Sequence, residues 1–220
     1  EPGSPRRRFR VLHVGPPSFE LPMSAAPTQE RERADARRNR ERILCATARL
    51  VERVGIDCFS MDDVAAEAGV GKGTLYRRFG DKSSLIRALI SEPEQAFQES
   101  LIRGEAPLGP GAAPAERLHA FGDGLLAFLD RHVIYMQSAE RFGAVDRYRH
   151  PVYAFYRTHV ALLLRQAIGD AASTDYLVDA LLGPLGPEPF AYQRDARGMS
   201  LDEIRAGWHT LCDAVLASSR

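Results

Sequence analysis

The sequence predicts an all-α protein, on three observations. Apolar residues recur at three- and four-residue intervals, no stretch alternates apolar with polar residues as a half-buried strand would, and not one proline occurs between Thr28 and Glu92. With 220 residues, 45 % of them hydrophobic and 26 % charged, the chain can build one compact domain or two small ones sharing an interface. Its longest uninterrupted apolar runs, Leu125 to Leu129 and Val160 to Leu164, have five residues, against roughly 20 needed to span a bilayer. No membrane partner is expected.

The elements follow in order. Residues 1–33 read as a disordered tail: six of the 14 prolines lie between Pro2 and Pro27, and the periodicity is missing. Arg6, Arg7, Arg8 and Arg10 precede an apolar stretch too short for a secretory leader. Met23 is a candidate alternative start, which would leave residues 1–22 outside the native chain. Ile43, Leu44, Thr47, Leu50, Val51 and Val54 make an amphipathic first helix ending at Gly55. Ser60 and Asp63 form a capping-box start for a second helix through Val64, Ala65 and Ala68, stopped at Gly69. A third helix spans Lys72 to Phe79, and Asp81 caps a fourth carrying Leu85, Ile86, Leu89 and Ile90. Beyond Pro93, glycines and prolines divide helices expected at 94–103, 115–130, 132–142, 150–168, 174–192 with a bend, and 201–217. The domains are thus a tail over 1–33, a small helical domain over 34–90 and a helical bundle over 91–220.

The net charge of zero, from 29 basic and 29 acidic residues, hides an asymmetry: residues 1–90 carry 17 basic and 12 acidic groups, an excess of five, and the remainder carries the opposite. Three cysteines, Cys45, Cys58 and Cys212, without a C-x-x-C spacing point to a reduced, cytoplasmic setting and away from disulfides or zinc. The sequence contains no H-E-x-x-H, G-x-S-x-G or P-loop pattern, and His119, His132, His150, His159 and His209 have no recognisable ligand spacing with acidic partners. Neither an enzyme nor a metal or cofactor site is expected.

Met61 to Phe79 carries the chemistry. Ala65 is a small residue for a close helix crossing, Gly69 four residues later tolerates a left-handed turn, and Val64, Val70 and Leu75 plug the two facing sides. That is a helix-turn-helix, whose second helix enters the DNA major groove and offers its N-terminal residues to base edges. Arg38 and Arg40 stand near the start of the first helix, where cations oppose the helix dipole, so an external phosphate is their expected partner.

The stretch from Arg40 to Ile90, above all Val70-Gly71-Lys72-Gly73-Thr74-Leu75-Tyr76-Arg77-Arg78-Phe79-Gly80-Asp81-Lys82, resembles the DNA-binding domain of the TetR family of transcriptional regulators. The resemblance implies phosphate contacts from Thr74, Tyr76 and Lys82, with Ser60 in the DNA-facing set, and base reading by Lys72, Gly73 and Arg77. Arg78 stands where the family usually has His and keeps a donor. Gly71 stands where Ser is common, so a hydroxyl cap is missing. It further implies a homodimer on palindromic double-stranded DNA, more often a repressor, released by a small-molecule effector. An activator or corepressor-dependent regulator is the alternative, and a protein-binding module with a relic motif is disfavoured by the intact Lys72, Tyr76, Arg77, Arg78 and Lys82.

In the C-terminal half, Phe121, Phe128, Tyr135 and Phe142 are spaced by seven, a stripe that suits either bundle core or a ligand site. The resemblance implies an effector pocket, with Phe128, Tyr135, Met136, Phe142, Tyr153, Tyr156 and His159 as candidates. Ile204, Trp208, Leu211 and Val215 line one face of the last helix, and Leu177 and Leu181 the helix before it. From pattern alone these stripes suit the subunit's own core as well as a dimer interface, and the resemblance favours the interface.

Overall fold

The computed structural model describes residues 26–141, 147–170 and 173–217, and every regular element among them is helical. The order is α1 (Ala26–Val54), α2 (Met61–Ala68), α3 (Lys72–Phe79), α4 (Lys82–Arg103), α5 (Pro114–Arg141), a 3-10 turn at Arg147–Arg149, α6 (Pro151–Ile168), α7 (Thr174–Leu182), a 3-10 turn at Gly183–Leu185, α8 (Pro187–Ala191), a π turn at Tyr192–Ala196 and α9 (Leu201–Ala217). The chain divides between Asn39 and Arg40 into two compact units. The first contributes the opening turns of α1, where Arg38 pairs with Asp35 on exposed side chains. Part of the expected tail, residues 26–33, is therefore helical, because Ala, Gln, Glu and Arg are strong helix formers that need no apolar stripe.

The second unit holds two hydrophobic cores. The smaller is closed by Ile43, Ala46, Leu50 and Val51 of α1, Ile56 and Phe59 of the following loop, Val64, Ala65 and Ala68 of α2, Leu75 and Phe79 of α3, and Leu85 and Ile86 of α4. The larger is built on Ile90 and Leu101 of α4, Leu118 to Leu129 of α5, Tyr156 to Leu164 of α6, Val178 to Leu182 of α7 and the inner face of α9. Each fully buried Leu or Phe supplies about 1.5–3 kcal/mol of burial free energy. Tyr135 of α5 packs against both cores.

Two expected boundaries disappear. α4 runs on through Pro93, forgoing one backbone hydrogen bond, because Ile86 and Ile90 before it and Leu101 beyond it are buried on one continuous face. α5 passes 131 unbroken, since Asp130 and Arg131 are exposed and interrupt nothing. Conversely, the bend expected in 174–192 is a full break at Gly183–Leu185, followed by the five-residue α8.

α5 and α9 approach closely at Gly122, where any side chain would collide with the Trp208 indole. The indole Nε1–H donates to the His119 carbonyl at 3.2 Å. Beside it the His119 and His209 rings stack 4.6 Å apart; His209 Nε2 lies 3.0 Å from both Asp123 oxygens and His119 Nε2 3.1 Å from Asp213 Oδ1. These acidic partners, missed in the sequence, sit four residues after each histidine and pair crosswise between the helices. Among the described residues no cluster of three or more such groups is arranged to hold a metal ion.

The dimer stripe needs correction. Leu181, Ile204, Trp208 and Val215 are at most 8 % exposed within the chain's own core, because α7 and α9 use those faces to cover α5 and α6. Leu177 and Leu211 are half-buried at its margin. The cysteines also divide: Cys212 is buried, whereas Cys45 and Cys58 are exposed rather than packed as small hydrophobes.

Two tests follow from this packing. Gly122→Ala forces the indole out of place and is expected to lower unfolding free energy by about 1–3 kcal/mol in urea titration. His159 is buried beside Phe121, 5.6 Å between ring centroids, and burial with the Arg117 cation holds its imidazole down at about 4. The unfolded chain binds that proton near pH 6.5, so stability falls as pH drops from about 6.5 toward 4, by up to about 3 kcal/mol. His159→Gln should flatten that part of the stability–pH curve; unchanged slopes would refute a neutral buried imidazole.

Candidate nucleic-acid interface and internal cavity

The turn between α2 and α3 is fixed by backbone chemistry. Gly69 adopts φ 62°, its N–H donating to the Ala66 carbonyl at 3.2 Å, and the Val70 N–H reaches back to Ala65 at 3.0 Å. This paired closure is a Schellman motif, which a left-handed glycine permits without strain. At the other end of α2, Ser60 and Asp63 complete the expected capping box, and the Ser60 hydroxyl and backbone hold the Asp63 carboxyl below the usual carboxylate range.

α1 staples the motif in place. Arg42 Nη2 donates to the Ala68 carbonyl at 2.7 Å, while Arg49 and Arg53 grip Glu67 at 3.1 and 2.9 Å. These three arginines were missed in the sequence, although their spacing of four and seven on α1 places them on one stripe facing α2. Arg40 turns toward α3 and α4, donating to Ser91 Oγ at 3.3 Å with its guanidinium 5.7 Å from the Phe79 ring centroid. Arg38 belongs to the first unit and is exposed beside Asp35.

On α3, Leu75 and Phe79 point into the small core and leave the other faces outward. Lys72, Gly73, Tyr76, Arg77 and Arg78 are all exposed, and Thr74 is half-buried. Tyr76 is 47 % exposed, which rules out a packing role in the core. Beyond the Cα of Gly73 there is open space. Lys72 pairs with Asp62, whose carboxylate raises the lysine's proton affinity. Such an exposed pair is worth about 0–1 kcal/mol and exchanges readily for another acceptor. Arg77 and Arg78 make no hydrogen bond or ion pair among the described residues.

Lys82 is differently employed. Its Nζ donates to the Phe59 carbonyl at 2.7 Å and lies 4.1 Å from the Phe59 ring centroid, and this burial lowers its proton affinity. It ties α4 to the loop before α2. The Asp81 carboxylate meanwhile accepts from the Ser84 N–H at 2.7 Å and caps α4.

A cavity of about 60 Å³ opens in the larger core between α4, α5, α6 and the α7–α8 turn. Of the expected pocket residues, Met136, Tyr153 and Tyr156 line it. Phe128 stacks on Phe97 at 6.1 Å, Tyr135 lies between the two cores and His159 packs on Phe121, so none of the three lines the cavity. Phe142 lies outside the described residues. The polar wall was missed: Arg87, Glu94, Arg147 and His150. Its signal was present, because Glu94 is an acid on the apolar stripe Ile86, Ile90, Phe97 and Leu101 of α4.

A small helical core presenting a basic, outward-facing second helix, followed by helices that enclose an internal cavity, is the architecture of a helix-turn-helix DNA-binding protein. Residues 43–89 match the model of the bacterial regulatory proteins of the tetR family. An HTH-type transcriptional regulator of Staphylococcus aureus (strain MRSA252) is 28 % identical over 179 residues, covering 79 % of this chain and 91 % of the relative. A TetR-like transcriptional regulator from Rhodococcus sp. RHA1 is 25 % identical, with a TM-score of 0.57, covering 81 % of this chain and 96 % of that one. A TetR-family regulator from Streptomyces coelicolor shares the fold at 18 % identity, with a TM-score of 0.58, covering 83 % of this chain and 82 % of that one. Over residues 43–89 the chain is thus similar to the tetR family of bacterial regulatory proteins, and over about four fifths of its length to HTH-type and TetR-like transcriptional regulators. No helix among the described residues is long and apolar enough to cross a membrane.

The turn yields a direct test. Gly69→Ala places a Cβ in left-handed backbone and 3.2 Å from Arg42 Nη2, pressing on the clamp to Ala68. A loss of about 1–2 kcal/mol is expected in urea unfolding followed by circular dichroism.

Proposed function

We propose that the protein is a dimeric repressor that reads a near-palindromic operator with α3 and leaves it when a small molecule fills the cavity behind α4. The observation that carries this reading is the outward face of α3: Lys72, Gly73, Tyr76, Arg77 and Arg78 exposed together on a stapled core. Lys72 and Arg77 suit guanine O6 and N7, Gly73 lets the backbone approach the groove, and Tyr76, Arg78 and the half-buried Thr74 suit phosphates. Arg38, Arg40 and Ser60 are auxiliary phosphate contacts in this reading, and Lys82 positions α4 before it touches DNA.

The link between cavity and reading helix is α4. Its first residue grips the loop before α2, while Arg87 and Glu94 reach the cavity. Lys82 and Glu94 stand about 18 Å apart along the helix at 1.5 Å per residue, so a ligand that repositions the second displaces the first. Effector and DNA then oppose each other reciprocally. A second copy packs on the margin that Leu177 and Leu211 share with the exposed Tyr176, Gly207 and Ala214.

Selection of bound sites from a random duplex library, by the purified chain across a salt series, tests this reading. A site with two inverted half-sites is expected, with affinity falling steeply as salt rises. Arg77→Ala should cost about 1–3 kcal/mol on the selected site, roughly 5- to 150-fold, and little on random DNA. Enrichment of nothing above random binding, with or without Arg77, would sink the proposal.

A further inference from the structure

The polar wall of the cavity carries an imbalance of charge. Arg87 stands beside the His150 ring, and its nearest carboxylate is Glu94 at 3.9 Å. Burial and the Arg87 cation both lower the proton affinity of His150, and an imidazole supplies no negative countercharge to the arginine. Arg147 donates to the Leu182 carbonyl at 3.1 Å, lies 5.4 Å from the Tyr153 ring centroid and rests against the bare Cα of Gly186, where any Cβ would collide with it. No carboxylate pairs with it among the described residues. Two guanidinium groups therefore face one acid, Glu94, whose proton affinity burial raises. The Tyr156 hydroxyl in the same wall is buried without a hydrogen-bond partner, the residue being 7 % exposed. Leaving a buried hydroxyl unsatisfied is costly, and an oxygen acceptor in the cavity would recover that cost.

We infer that the cavity binds a short amphipathic carboxylate, its anionic end held by Arg87 and Arg147 and its apolar body resting against Leu125, Met136 and Leu185. The inference deepens the proposed effector control and rests on it for its biological meaning, though not for the binding itself. A carboxylate matches the planar fork of each guanidinium and accepts from the Tyr156 hydroxyl. A cationic ligand directed at Glu94 would meet both arginines, and a neutral one would leave them uncompensated. The small volume limits the body to a few carbon atoms, the size of a branched short-chain acid.

Isothermal titration of the full chain with 3-methylbutanoate, 3-methylbutanamide and 3-methylbutylamine, three molecules of nearly equal shape, tests the assignment. The carboxylate is expected to bind at least tenfold more tightly than the amide, and the amine not at all. Arg147→Gln, at a half-exposed position, and Arg87→Gln should each weaken the carboxylate tenfold or more, and Tyr156→Phe severalfold, with folding checked by circular dichroism. Equal or tighter binding of the amide or amine, no binding by any of the three, or undiminished carboxylate binding by a folded Arg147→Gln would each overturn it. DNA affinity is measured separately on the selected site. Carboxylate binding that leaves DNA affinity unchanged upholds the ligand class and removes the effector reading, whereas a selected site with no carboxylate preference does the reverse.

Discussion

The structure depends on α4 remaining a single helix from Lys82 to Arg103. Its first turns give Leu85 and Ile86 to the small core, and the turns around and beyond Pro93 give Ile90 and Leu101 to the large one. A break at the proline would let the two cores move independently, and the energetic cost of one missing backbone bond is small beside the burial of those four side chains. Continuity here places the Lys82 clamp and the cavity wall on one rigid rod. Tyr135 adds a second connection, since it touches both cores from α5.

The two sites use arginine in opposite ways. On α1 the guanidinium groups of Arg42, Arg49 and Arg53 are spent internally, on the carbonyl end of α2 and on Glu67. They satisfy acceptors that a helix terminus leaves open and fix the crossing of the motif. On α3 the charged groups are left at the surface, where, among the described residues, Lys72 alone has an ion-pair partner to give up. The positive excess of the N-terminal part thus divides into cations that build the reading head and cations that it displays.

Much of this was legible in the sequence because it rests on local rules. The capping box at Ser60, the glycine stop at Gly69 and the Asp81 cap each depend on residues within four positions of one another, and all three stand as read. What escaped reading was decided by contacts distant along the chain. Whether the stripe on α9 covers its own subunit or another is a property of α5, whose Gly122 admits Trp208; periodicity is identical in both cases. The polar wall of the cavity gathers Arg87, Glu94, Arg147 and His150 from segments up to 63 residues apart, the separation of the Arg87–His150 contact, which no local pattern spans.

The seat of Trp208 over Gly122 has a spectroscopic meaning. It is the chain's one tryptophan, 4 % exposed, hydrogen-bonded through its indole to α5 and wholly within the larger core. Its emission therefore reports the dielectric surroundings of the α5–α9 contact and is silent about the reading head. Native fluorescence and far-ultraviolet dichroism, followed together through denaturation, separate the melting of the two cores: coincident curves mean that α4 couples them into one cooperative unit, and an early dichroic loss with unaltered emission means that the DNA-binding head opens first.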